Sequence, residues 1–301
     1  MFFFFKTKIY CNVLNLNFLS EPLKSAVAKT DVKALSEIRL RVGFPIFGVF
    51  NGKKIYISEN GLTLNKSDAI TCTGQDVSKC IEYATEKSLY AFNDRLKQGF
   101  LTTKDGVRIG VAGDCVVEDD KIITVKNISS LNIRIPHEIK DCSQKIYNKL
   151  FLNDVFNTLI VSPPSKGKTT ILKDLARKFN AYTDQSIMII DERGEFANVS
   201  GENIDAIKFS NKFYALNYGI RSMSPRIVIT DELQSKDDWQ SAKTAAFSGV
   251  KIIASCHGKD ISDLKNKDFF IKNVFERYVV LDANRPAGTV KDFYDSDLNI
   301  I

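Results

Sequence analysis

Hydrophobic and polar positions change rhythm once along the chain, near its middle. Before that point the apolar residues come in short alternating runs. Ile38-Arg39-Leu40-Arg41-Val42 alternates at period two and ends at Gly43, which predicts a strand with one buried face. Pro45-Ile46-Phe47-Gly48-Val49-Phe50 follows, and Asn51-Gly52 signals a hairpin with Lys53 to Ser58 as the returning strand. Gly74 to Leu89 sets Val77, Cys80, Ile81 and Ala84 along one face at helical spacing. Gly99 to Thr103, Val107 to Ala112 and Ile122 to Lys126 predict a second antiparallel group. Lys104-Asp105-Gly106 and Glu118-Asp119-Asp120 punctuate it as turns. This half reads as α+β.

Pro136-His137-Glu138 breaks the pattern, and Cys142 to Phe151 predicts a linking helix. Two domains are therefore expected, 1–140 and 141–301. Beyond the break the apolar runs are uninterrupted: Thr158 to Val161, Ile187 to Ile190, Ile227 to Ile229 and Val250 to Ala254. They alternate with helices expected at 169–179 and from Asp237 to Phe247. Strands without polar alternation are covered on both faces, so a mainly parallel sheet is predicted. Tyr278 to Leu281 and Gly288 to Phe293 close the chain as an expected antiparallel addition.

Composition narrows the class without choosing a function. With 301 residues, 44% hydrophobic and 26% charged, the chain can build cores without disulfides or metals. A net charge of +6 admits an anionic ligand, a membrane surface or nucleic acid and selects none of them. The six cysteines lack CxxC pairs, which reads as reduced thiols in a cytosolic compartment. His137 and His257 are the only histidines, which argues against a zinc site of the usual spacing. The apolar start, Met1 to Phe5, stops at Lys6, short of a signal peptide. An edge strand, a frayed end and a shallow membrane contact all remain open for it. No window approaches the roughly 20 apolar residues of a membrane-spanning helix.

The chemistry concentrates in the second half. Ser162-Pro163-Pro164-Ser165-Lys166-Gly167-Lys168-Thr169-Thr170 leaves a buried strand and opens a helix, where a P-loop must lie. Backbone N–H groups there would wrap a β-phosphate, with the helix N-terminus adding positive potential. Lys168 would bridge the β- and γ-phosphates, and the Thr169 hydroxyl would ligate Mg²⁺. The motif asks for glycine where Ser162 and Ser165 stand. A left-handed serine costs about 1–2 kcal/mol. An ordinary turn is the competing account.

Arg226 to Glu232 is an apolar strand ending in paired carboxylates, about 60 residues after Lys168. This is a Walker B pattern in which Asp231 holds Mg²⁺ through water and Glu232 polarises the attacking water; a solvated acidic turn is the alternative. Asp191-Glu192-Arg193 ends another apolar strand, and in a doubly wound sheet that edge binds ligands. An ion-paired turn competes there too. His257 ends the Val250–Ala254 run and could sense the γ-phosphate region, or be structural. Arg221, shortly before the Walker B strand, could reach nucleotide in cis or across a subunit boundary; a surface salt bridge is the equal alternative.

Together these stretches resemble the stage III sporulation protein AA family, related to the type II/type IV secretion ATPases. The resemblance rests on Glu37 to Gly43, Leu89 to Asn93, Gln98 to Thr102, Arg108 to Gly113 and Asn127 to Ile135. It continues through Asp191-Glu192-Arg193, Leu216 to Glu232 and Phe275 to Leu281. It implies an α/β P-loop NTPase (RecA/secretion-ATPase-like) parallel-sheet domain behind a smaller α+β domain. It further implies a cytoplasmic, peripheral mother-cell ATPase, a homo-hexamer docked on integral-membrane channel components that feed the forespore. Gly167, Lys168 and Thr169 take the Walker A places, Asp231 and Glu232 the Walker B places, and His257 the histidine box. ATP and Mg²⁺ are the implied ligands, with Glu192 or Glu232 orienting water. Ser162, Ser165 and a divergent Ala197–Phe213 stretch depart from the pattern and bear on turnover more than on fold. A nucleotide-binding scaffold without turnover is the second reading. A nucleic-acid-dependent motor is the third, set back by the lack of a dense Lys/Arg run interleaved with aromatics.

Overall fold

Alternation in the first half produces an antiparallel sheet, and the uninterrupted runs in the second produce a parallel one. The computed structural model describes residues 16–30, 35–86, 96–97, 99–103, 106–135, 138–196, 199–208 and 210–301, with the backbone of 9–10. The chain divides into two compact units, Ile9–Glu138 and a second from Ile139 to Ile301. The expected turn at 104–105, the Pro136-His137 break and the apolar start lie outside the described residues.

In the first unit, β1 (Leu35–Arg41), β2 (Phe47–Phe50), β3 (Lys53–Ser58), β4 (Gly61–Thr63), β5 (Phe100–Thr102), β6 (Arg108–Glu118) and β7 (Lys121–Arg134) form a seven-stranded sheet. Its order is β4-β3-β2-β1-β7-β6-β5. Asn51 and Gly52 take φ of 48° and 77°, the left-handed pair that a two-residue hairpin turn requires. Helices α1 (Glu21–Ala28) and α2 (Gly74–Ala84) share a core with one sheet face, among Ile38, Leu40, Ile57, Leu131 and Ile133. Helix α2 stops short of the expected Leu89, because Glu86 turns left-handed at φ 48°. Strands β6 and β7 run well past the expected Ala112 and before Ile122. Their outer halves, 112–118 and 121–127, hold no buried residue, so the burial that marks a strand in sequence is absent there.

The second unit opens with α3 (Gln144–Leu150) and β8 (Thr158–Ser162), then α4 (Lys168–Tyr182) and β9 (Ile187–Asp191). It continues with β10 (Ile204–Lys208), α5 (Lys212–Met223), β11 (Ile227–Thr230), α6 (Lys236–Phe247) and β12 (Lys251–His257). Helix α7 (Ile261–Lys265), β13 (Arg277–Leu281) and β14 (Val290–Tyr294) complete it. The sheet order is β10-β9-β11-β12-β8-β13-β14. Successive residues of one strand feed opposite cores. Ile189 packs with Leu175 and Phe179 on one side, while Met188 and Ile190 pack with Leu216 and Trp239 on the other. The expected antiparallel addition is corrected in one respect: β13 is parallel to β8, and only β14 runs antiparallel. Strand β10, half exposed at the sheet edge, was not legible as a strand.

Candidate functional site

The loop between β8 and α4 brings its backbone back to a helix N-terminus. Gly167 takes φ of 88°, and a Cβ there would stand 3.2 Å from the Gly288 nitrogen. Only glycine meets both demands. Ser165 is left-handed at φ 60°, so the serine carries the strain expected of it. Ser162 differs: it is the fully buried last residue of β8, outside the left-handed region, and its Oγ donates to the Pro163 carbonyl at 2.9 Å. Pro164 and Ser165 are exposed, while Pro163, Lys166 and Gly167 are half-buried. Thr170 lies in the first turn of α4, half-buried, its carbonyl within 3.6 Å of the Cys142 thiol.

Lys168 begins α4 and is buried. Its ammonium donates to the carbonyls of Ser162 and Pro163, each at 3.2 Å, and lies 3.0 Å from His257 Nδ1. Burial lowers the lysine pKa, opposed by the nearby Asp231 and Glu232. An ammonium can only donate, so Nδ1 accepts and the imidazole proton resides on Nε2. That nitrogen lies 3.1 Å from Glu232 Oε1. Glu232 is in turn ion-paired with Arg193 at 2.8 Å and accepts from the Gln234 amide at 2.8 Å. A continuous polar chain therefore runs from the loop's lysine to the end of β11.

A second branch joins Thr169 to the same strand end. The Thr169 hydroxyl donates to Asp231, whose other oxygen accepts from the Ser255 hydroxyl. Strand β12 lies between β8 and β11, with Ser162 opposite His257 and Thr230 opposite Ala254. Its Ser255 and His257 thus sit beside both motif-bearing strands. Glu232 holds a left-handed φ of 41°, its N–H donating to Ser255 Oγ at 3.0 Å. A strained non-glycine residue at a polar strand tip is a common mark of a working site.

The oxygen donors Thr169 and Asp231 suit a hard divalent cation that keeps several waters and shares phosphate oxygens. Among the described residues no cluster of three His, Cys, Asp or Glu could hold a metal alone.

Two expected residues are used otherwise. The Asp191 carboxylate faces its own loop, accepting from the Glu195 and Phe196 N–H groups at 2.8 and 2.9 Å, and burial pushes its pKa up. Glu192 lines the depression that holds Asp231 and Glu232, but it is ion-paired with the buried Lys212. Arg221 is exposed in the last turn of α5, which leads into the start of β11. That places it at the amino ends of the parallel strands, opposite the P-loop edge. The structure therefore does not bring Arg221 to the cluster within its own chain.

Sequence reasoning missed Ser255, the Arg193–Glu232 pair and the loop before β14. Gly288 N–H donates to the Lys166 carbonyl at 2.9 Å, and the Lys166 ammonium donates to the Arg285 carbonyl at 3.1 Å. Only the turn-forming Pro286 and Gly288 marked that loop in sequence.

Comparison with known proteins agrees with this architecture. The family described as sporulation stage III, protein AA, matches residues 12–300. Stage III sporulation protein AA of Bacillus subtilis (strain 168) is 31% identical over 302 residues, covering 94% of this chain and 95% of that protein. The Legionella pneumophila ATPase DotB superposes with a TM-score of 0.60 at 12% identity, covering 88% of this chain and 78% of that one. The pilus retraction motor PilT, solved with bound ADP, gives 0.57 at 15% identity, covering 84% and 76%. The shared fold is that of P-loop NTPases, mixed α/β with a parallel sheet. Among the described residues no helix is long and apolar enough to cross a membrane.

Proposed function

The chain belongs to the sporulation stage III, protein AA, family, and we propose that it is a Mg²⁺-dependent ATPase. In this reading it forms a ring at the inner face of a membrane and energises a sporulation channel or secretion complex. One observation carries the enzymatic part. Lys168, His257, Glu232, Thr169 and Asp231 form one connected cluster at the carboxyl ends of β8, β11 and β12. That is the edge at which open α/β sheets bind ligands.

The roles follow from position. The loop amides and the N-terminus of α4 receive the phosphates. Lys168 exchanges the Ser162 and Pro163 carbonyls for β- and γ-phosphate oxygens, which are stronger acceptors. Bound Mg²⁺ would supply charge neutralisation on the transferring phosphoryl group. Thr169 and Asp231 are the residues that would hold it. Glu232 orients the attacking water, and His257 links that carboxylate to Lys168. The proposal favours Glu232 over Glu192, because Glu232 is joined through His257 to Lys168 whereas Glu192 pairs with Lys212 outside that cluster.

Phosphate release from the wild type and from Lys168→Ala, with and without chelator, tests this. Hydrolysis is expected only from the wild type with Mg²⁺; equal rates from the two proteins would remove the enzyme reading. The strain at Ser165 supports a second reading, a nucleotide-binding scaffold. It predicts calorimetric ATP binding by the wild type without phosphate release.

A further inference from the structure

Strand β11 leaves its ladder just before the two acids that follow it. Its pairing with β12 ends at Thr230 opposite Ala254, and contact resumes where Leu233 N–H donates to the Ser255 carbonyl at 2.8 Å. Asp231 and Glu232 lie in the step between, with Glu232 left-handed at φ 41°. A left-handed residue other than glycine persists only where its surroundings over-determine it. Ser255, fully buried on β12, supplies such a surrounding.

The Ser255 hydroxyl meets the step in both hydrogen-bonding senses. A serine hydroxyl has one proton to give and lone pairs to offer. The proton goes to Asp231 Oδ1, and the oxygen accepts from Glu232 N–H at 3.0 Å. Asp231 Oδ1 also accepts from that N–H, at 2.9 Å. With Oδ1 held twice, Oδ2 faces the start of α4, where the Thr169 hydroxyl donates to it. Residues two apart on a strand share a face. Ser255 and His257 therefore project from the same side of β12, the first onto Asp231 and the second onto Glu232 and Lys168.

We propose that Ser255 is the positioning residue of the metal-holding carboxylate. The inference rests on the Mg²⁺-dependent reading above and adds the group that orients Asp231 for it. The last torsion of an aspartate is broad, so an untethered carboxyl would skew the oxygen it offers beside Thr169. The buried hydroxyl removes that freedom: it ties one oxygen to the strand end and leaves the other for the metal. Removing a partner that stands behind a metal ligand typically costs about 10- to 100-fold in metal affinity or activity. Lys168 and the loop amides, which receive the phosphates, make no use of this hydroxyl. Without it Glu232 N–H still has Asp231 Oδ1 as an acceptor, so no backbone donor is orphaned. The loss should therefore fall on the metal and spare the nucleotide.

The test is calorimetric titration of the full chain with ATP, across a Mg²⁺ series and in chelator, beside melting curves. Ser255→Ala and Ser255→Val both delete the hydroxyl, and Ser255→Thr keeps it in the shape of valine. Each deletion is expected to need about 10- to 100-fold more Mg²⁺ for half its effect on ATP affinity. Affinity in chelator should stay within severalfold of wild type, and threonine should restore the wild-type Mg²⁺ requirement. The threonine–valine pair keeps the question open to refutation even where the alanine variant does not fold. Equal weakening of ATP binding with and without Mg²⁺ would overturn the proposal, because the hydroxyl would then serve the site as a whole. Failure of threonine to restore what valine loses would assign the effect to packing and overturn it as well. A wild type whose ATP affinity ignores Mg²⁺ would remove the metal reading and this role together. A wild-type Mg²⁺ dependence that both deletions leave untouched would remove the role of Ser255 alone.

Discussion

At the scale of single residues, two glutamates that the sequence leaves equivalent sit among different partners. Glu232 touches His257 and Arg193 and sits on a strained backbone; Glu192 is spent on Lys212. General-base assistance contributes about 10²- to 10⁴-fold. Glu232→Gln is therefore expected to lower turnover by about a hundredfold or more while keeping ATP affinity, and Glu192→Gln to stay within severalfold of wild type. Single-turnover phosphate release beside calorimetric titration checks both, and the reverse ranking would reassign the base. Lys168 makes a second case. Its folded pKa is lowered by burial, so the folded chain releases that proton before the unfolded one. Just below the ordinary lysine range the unfolded chain binds more protons, and stability rises with pH there. Replacing the buried ammonium by Lys168→Met is expected to flatten this rise and to leave Tm no lower than wild type. Melting curves between neutral and alkaline pH read it directly, and a clear fall in Tm would show the ammonium to be stabilising.

At the scale of elements, Asp174 fastens the P-loop helix to the segment that opens its unit. Its carboxylate accepts from the N–H groups of Asp141 and Ser143 at 3.0 and 2.9 Å and from the Ser143 hydroxyl at 2.6 Å. Lys178, one turn on, reaches Asp141 at 2.7 Å. Orphaning buried donors costs about 1–3 kcal/mol each, with relaxation recovering part. Asp174→Ala is therefore expected to destabilise the chain by about 2–4 kcal/mol by denaturant melts. A loss below about 0.5 kcal/mol would mean that water replaces the carboxylate. Nothing in the sequence singled out Asp174, because a buried aspartate and a solvated one look alike in a helix.

The same limit governs what else was legible. Strands β8, β9, β11 and β12 were readable because burial on both faces demands uninterrupted apolar runs. Strand β10 and the outer halves of β6 and β7 were not, because the lack of buried positions removes that demand. The stretches that follow β8 and β11 drew attention to Lys168, Thr169, Asp231 and Glu232. Ser255 stayed hidden, since its role comes from β12 lying between β8 and β11, and strand order is not written in any local window.

At the scale of the whole molecule, the two units differ in what they carry. Every residue of the candidate cluster lies beyond Ile139, and among the described residues both cores of that unit draw only on residues beyond it. The 139–301 fragment is therefore expected to unfold cooperatively by itself and to bind ATP within severalfold of the full chain. Melting curves and calorimetric titration on the fragment check both. Loss of both folding and binding would mean that residues before Ile139 complete the nucleotide site.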